Sequence, residues 1–128
     1  MEMVSAGELR QAIGRFATGV TVVATLEDRG EVHGMTANAV ASVCLTPPLI
    51  LVCIGHQRNT YQYIRRNGNF SINVLERGQT DVAAYCAADE RVCGGGAPVS
   101  YEFTQRGTPR LRGAISFIDC DVVASYDH

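Results

Sequence analysis

The residues best suited to chemistry lie in one stretch, Gly34-Met35-Thr36-Ala37-Asn38-Ala39-Val40-Ala41-Ser42-Val43-Cys44. Small side chains over Thr36, Ala37, Asn38 and Ala39 let a flat ligand come close to the backbone donors and acceptors. Thr36, Asn38 and Ser42 add polar hooks along the same stretch. Ser42 and Cys44 lie two apart in a strand-like segment, so they are expected on one face. Further on, Asn59 and Thr60 stand where a helix is expected to begin. Free N–H groups and the helix dipole favour an anion at such a point. Arg58, just before them, can add a charge-assisted contact. The pattern suits a flat ligand with an anionic end.

Each feature also has a plainer reading. Taken alone, Thr-Ala-Asn-Ala is an ordinary strand or turn, Asn59 is a helix cap, and Arg58 is a solvated surface charge. His33 and His56 have no second ligand at metal spacing, so no metal is expected and both read as surface or hydrogen-bonded histidines. His56 still falls near the candidate site because it precedes Arg58. No Ser-His-Asp or Cys-His order follows from spacing, and no residue stands out as a catalytic acid or base. Gly94-Gly95-Gly96 does not continue into a dinucleotide-binding glycine pattern, since Val99 occupies the third glycine's place.

Several short elements must position these residues. Ser5 and Glu8 form a capping-box pattern, and Leu9, Ala12, Ile13 and Phe16 fall at helical spacing, which predicts an amphipathic helix over 6–16. Val20 to Thr25 is β-branched and predicts a strand. Glu27-Asp28-Arg29-Gly30 is a turn, and Val32 to Met35 begins the returning strand of a hairpin. Thr46-Pro47-Pro48 interrupts the next strand pair. Leu49 to Ile54 is nearly all apolar and is expected as a central strand buried on both faces. Thr60 to Asn67 is expected as a helix, capped by Asn59 and ended by Gly68. Phe70 to Leu75 predicts a strand and Thr80 to Ala87 a helix. Residues 89–110 are irregular, with a glycine-rich loop at Gly94-Gly95-Gly96-Ala97-Pro98. Arg112 to Ser125 resumes strand character, with Ile115, Phe117, Val122 and Val123 as core candidates. Short strands with few helices point to an antiparallel barrel.

The 128 residues suit one domain spanning 1–128. A net charge of −2 gives no basic surface for nucleic acid or a membrane. All basic residues are Arg, so a cation holding a phosphate must be a guanidinium. Five cysteines, with no C-x-x-C pair, read as reduced buried thiols of a cytoplasmic protein. The N-terminus has no signal-peptide pattern, and no apolar run is long enough to span a bilayer. The sequon Asn69-Phe70-Ser71 is read as chance.

Three motifs occur in order: Arg15-Phe16-Ala17-Thr18-Gly19-Val20-Thr21-Val22-Val23, then Gly34 to Cys44, then Asn69-Phe70-Ser71-Ile72-Asn73-Val74-Leu75. Together they strongly resemble the flavin reductase family, from about Leu9 to Asp121. The resemblance implies a mainly β fold with a few short helices, an antiparallel Greek-key split β-barrel of the FMN-binding type. It implies NAD(P)H-dependent reduction of FMN or FAD, with NADH or NADPH as hydride donor. Reduced flavin would pass to a flavin-dependent monooxygenase, and the protein would be a homodimer. Position by position, the backbone of Thr36, Ala37, Asn38 and Ala39 would face the flavin ring. Ser42, Val43 and Cys44 with Asn59 and Thr60 would hold the ribityl chain and phosphate. Gly55, His56 and Arg58 complete the cofactor-binding set.

Three departures from the family pattern stand out. Cys44 replaces a frequent Ser, and a thiol is a weaker donor. Val92-Cys93-Gly94 replaces a bulkier Phe-Gly-type sequence. The family's Gly-Asp-His segment, near the nicotinamide, is expected just beyond His128, although Asp127-His128 could be a variant of that pair. On the first register the closing strands also fall beyond His128, the barrel is C-terminally incomplete, and turnover is expected to be weak or absent despite flavin binding. Two other readings remain at this point: a non-catalytic flavin-binding or flavin-carrying dimeric module, and a related split-barrel enzyme acting on pyridoxamine phosphate.

Overall fold

The computed structural model describes residues 3–88 and 96–128. Val92-Cys93-Gly94 and the Gly94-Gly95 part of the glycine-rich run lie outside the described residues. Those described form three short helices and eight strands, a mainly β chain as expected. Its three antiparallel sheets are not closed into one barrel.

The N-terminal helix α1 (Ala6–Ile13) starts at the expected capping box. The Ser5 side chain accepts from the Glu8 amide, and the Glu8 carboxylate accepts from the Ser5 amide. The helix ends at Gly14 rather than at Phe16, and none of its residues is buried. Leu9, Ile13 and Phe16 face solvent. The helical period is present, but among the described residues nothing packs on the apolar stripe.

The main sheet has the order β2-β1-β5-β8. β1 (Thr21–Leu26) turns into β2 (Val32–Ala37) through Gly30, whose φ of 78° suits glycine. β5 (Asn69–Val74) pairs with the other edge of β1, and β8 (Ser116–Asp121) pairs with β5. β1 is buried on both faces. Val22 packs with Val32, Leu75, Val82, Cys86 and Leu111 on one side. Val23 packs with Ala37 and Ile64 on the other, against Met35, Val52, Ile54 and Phe70. Helix α3 (Thr80–Ala87) supplies the first cluster and helix α2 (Asn59–Asn67) the second. Gly68 closes α2 in the left-handed conformation, φ 74°, as expected.

The doubly buried strand is therefore β1 and not the Leu49–Ile54 run. That run forms β4 (Pro48–Val52), paired with β3 (Val40–Leu45) in a separate hairpin whose turn contains the cis peptide Thr46–Pro47. Val52 and Ile54 reach the second cluster, while Leu51 is 50% exposed. A two-stranded ribbon that meets the core at one end leaves the rest of its apolar surface uncovered. The same hairpin corrects the expected facing of Ser42 and Cys44. A bulge sets Ser42 opposite Ile50 and Cys44 opposite Leu49. Two residues then oppose one, and the two side chains point to opposite faces.

A small hairpin, β6 (Tyr101–Phe103) and β7 (Pro109–Leu111), is tied down by buried polar groups. Ser71 Oγ donates to the Pro109 carbonyl at 2.5 Å, and the Leu111 amide donates to Asn73 Oδ1 at 2.9 Å. The C-terminal core candidates are also corrected. Ile115, Val122 and Val123 are exposed and Phe117 is half-buried, whereas Cys120 is buried. β8 is the outer strand of the sheet, so just part of it meets the core. No helix among the described residues is long and apolar enough to cross a membrane.

Candidate functional site

The site is built where α2 begins. The chain turns at Gly55, whose carbonyl accepts from the Arg58 amide at 3.0 Å. Arg58 is extended (φ −85°, ψ 135°) and is the N-cap, without a side-chain capping bond. Asn59, expected as the cap, is instead the first helical residue. Its side chain is thus not spent on closing the helix in that way, and the opening amides keep the anion-favouring end of the helix dipole.

This turn borders a cavity of about 320 Å³. Gln57, Arg58, Asn59 and Thr60 form one wall, His33, Gly34 and Met35 of β2 another, and Cys86 and Ala88 of α3 and its C-terminal end a third. Thr60 is buried, with its Oγ1 2.7 Å from His33 Nε2. His33 is 4% exposed, and its Nδ1 lies 3.1 Å from Glu27 Oε1. The Tyr63 ring meets the imidazole edge-on with centroids 5.1 Å apart. His33 is thus hydrogen-bonded, as one reading of the sequence had it, but its place at this cavity was not foreseen. Strand alternation puts His33, Met35 and Ala37 on one face; the contact with Thr60 depends on how α2 docks there.

The other candidates lie elsewhere. Thr36 is less a free polar hook than a tether, since its hydroxyl donates to the Ala83 carbonyl of α3 at 2.6 Å. Ala37 is buried, and its carbonyl accepts from Thr21 Oγ1 at 2.6 Å. Asn38 and Ala39 are exposed in the β2–β3 connection, as are Ser42 and Val43 on β3. The Cys44 thiol donates to the Pro47 carbonyl at 3.0 Å, turned into its own hairpin. His56 points outward, its Nε2 3.3 Å from Asp127 Oδ1, and its ring lies 4.8 Å from that of Tyr61. Tyr61 donates to the same Asp127 oxygen at 3.0 Å. The structure thus gathers Arg58, Asn59 and Thr60 at one cavity. It leaves Asn38, Ala39, Ser42 and Val43 exposed on the β2–β3 surface, with Thr36 and Cys44 half-buried and Ala37 buried.

The described cysteines are not all buried: Cys86 and Cys120 are, Cys44 is half-buried and Cys53 is exposed. Burial and the flanking Asp119 and Asp121 carboxylates push the Cys120 thiol up to about 11.

The cavity thus combines a helix start and an arginine with a strand, β2, that runs on toward the exposed Asn38 and Ala39. Comparison with known proteins gives the chain a family. The chain belongs to the flavin reductase like domain family, which it matches over residues 13–128. It is 43% identical over 121 residues to an NADH-dependent flavin reductase of a Rhodococcus species, covering 92% of this chain and 66% of that protein. It is 36% identical over 126 residues to the reductase component of a 4-nitrophenol 4-monooxygenase/4-nitrocatechol 2-monooxygenase of Rhodococcus opacus, covering 96% and 64%. Among solved structures, the NADH:FAD oxidoreductase SgcE6 of Streptomyces globisporus superposes with a TM-score of 0.86 at 32% identity, over 100% of this chain and 78% of that one. The expectation of a split-barrel type of fold agrees with this likeness. The chain spans just under two thirds of the length of the two Rhodococcus proteins.

Proposed function

We propose that this chain is an NAD(P)H-dependent flavin reductase domain over residues 1–128, taking FMN or FAD and NADH or NADPH and supplying reduced flavin to a monooxygenase. The observation that carries the reading is the cavity at the opening turn of α2, in a chain that matches the family over residues 13–128. Its donor set fits a phosphate: helix-start amides and the Arg58 guanidinium. Thr36 to Ala39 continue β2 from the cavity residues Gly34 and Met35 and would take the ring edge. When bound, flavin supplies the redox chemistry, accepting hydride from the nicotinamide. The share of this chain is to bind and orient, which asks for no acid or base side chain.

The named relatives support an oxygenase partner. A homodimer is supported by the apolar residues Val43, Leu45 and Leu51, all at least half exposed on the β3–β4 hairpin. A nicotinamide-dependent reaction suits the cytoplasm. The test is anaerobic mixing with FMN or FAD and NADH, watching the visible flavin band. Bleaching that requires the protein is expected, and an unchanged band with folded protein would overturn the reading. Light scattering should give a dimeric mass, and a monomer that still binds flavin would remove the dimer from it.

A further inference from the structure

Hydride transfer makes no use of the chain of hydrogen bonds Glu27–His33–Thr60, yet that chain ends on Thr60, a residue of the cavity wall. Its directions follow from elementary chemistry. A neutral imidazole donates from one nitrogen and accepts at the other. The Glu27 carboxylate, 3.1 Å from Nδ1, is an acceptor, so Nδ1 carries the proton. Nε2 must then accept, and the partner 2.7 Å away is Thr60 Oγ1. The single O–H of Thr60 is spent on His33. In this state Thr60 offers lone pairs, and no proton, to anything in the cavity. A phosphate dianion has no proton to give in return. A second proton on the imidazole reverses the bond: Nε2–H donates to Thr60 Oγ1, and the hydroxyl proton is released to point at a ligand.

We propose that Glu27 and His33 are a positioning pair that sets the direction of the Thr60 hydroxyl, so that docking of the flavin 5′-phosphate draws one proton from solvent onto His33. The proposal rests on the placement of the phosphate at the start of α2. It makes the pair a determinant of specificity, favouring phosphorylated flavin over riboflavin. The imidazolium so formed stands between two anions, the Glu27 carboxylate and the phosphate. The other groups facing His33 or its cavity keep their roles. Tyr63 of α2 presents its ring edge. Arg66 lies over that ring at 5.5 Å and pairs with Asp28. Arg58 stands at the N-cap, and Cys86 of α3 is on the far wall.

Calorimetry with FMN and with riboflavin tests this, in HEPES and in Tris at about pH 8. Phosphate monoesters are then dianions, with a second pKa near 6, so FMN itself takes up no proton. The heat of FMN binding should differ between the buffers by about one proton taken up, and the heat of riboflavin binding should not. From about pH 7 to about pH 8.5, FMN affinity should fall by up to roughly tenfold per pH unit, as one-proton linkage requires. Riboflavin affinity should stay flat. His33→Gln cannot take the proton and should abolish both effects; Glu27→Gln, at a more accessible position, should reduce them. If FMN outbinds riboflavin with no buffer difference in the parent protein, the positioning role is overturned while the phosphate site stands. If the two flavins bind alike, the phosphate site falls and the inference with it.

Discussion

The Thr36 hydroxyl donates to the Ala83 carbonyl across 2.6 Å, joining the end of β2 to α3. Thr36 opens the small-residue segment, and α3 carries Cys86 into the cavity wall. One side-chain bond thus couples the segment proposed for the flavin ring to the wall of the cavity proposed for the phosphate. Thr36→Val should cost about 1 kcal/mol in urea unfolding, the net worth of a typical hydrogen bond. Thr36→Ser, which keeps the donor, should recover most of it. Equal midpoints for the Val variant and the parent would show that the bond stabilises nothing.

Asn59→Ala combined with Thr60→Val removes both side-chain polar groups at the start of α2. Hydrogen bonds to a charged group are worth about 1.5–3 kcal/mol each, so FMN affinity should fall by roughly tenfold or more. Riboflavin, lacking the phosphate, should bind as before. The variant also leaves His33 Nε2 without its partner, so a melting curve must accompany the titration. A loss confined to riboflavin would put the phosphate elsewhere.

Where local chemistry decides structure, the sequence was readable. Ser5 and Glu8 need only each other, and Gly68 needs only its own backbone freedom. The pairing of β1 with β2 follows from a short turn and β-branched strands. Burial was harder, because it depends on what lies over a face. Val20 to Thr25 and Leu49 to Ile54 are both apolar runs, yet α2 and α3 sandwich the former, while the latter keeps an exposed side. The bulge at Val43 is equally invisible in a spacing of two residues. At the site, Arg58 to Thr60 could be placed from the helix they open. His33 could not, since its contact joins residues 27 apart in sequence.

Asn73 is fully buried, and its side chain serves three partners. Its Nδ2 donates to the Val22 carbonyl at 3.1 Å and to Ser71 Oγ at 3.0 Å, and its Oδ1 accepts from the Leu111 amide at 2.9 Å. It therefore pins β7 to the main sheet beneath the first core cluster. Asn73→Ala leaves the Leu111 amide buried without that acceptor, and each such orphaned group costs about 1–3 kcal/mol. A total loss of about 3 kcal/mol or more is expected in chemical denaturation. A loss below about 1 kcal/mol would mean that β7 is held mainly by Leu111 packing.

Cys120 and Cys53 differ in burial, which thiol labelling can read. Cys120 is buried on β8 between Asp119 and Asp121, and burial, then those carboxylates, raise its thiol to about 11; nearby Arg106 opposes this. The thiolate is the reactive form, so at about pH 8 Cys120 should resist iodoacetamide while the exposed Cys53 is alkylated. The same shift has a consequence for stability. A thiol raised from the ordinary 9.0 to about 11 by folding keeps its proton more firmly in the native state. Its contribution is whole below about pH 9 and is lost as pH rises toward 11. Cys120→Ala should therefore flatten the alkaline limb of the stability profile above about pH 9, whatever it costs at neutral pH. Mass spectrometry of peptides after timed labelling decides the first point, and urea titrations across the alkaline range the second. Modification of Cys120 as fast as Cys53 in the folded chain would show that β8 opens readily at that edge, and that the thiol is not held in the buried environment that raises it.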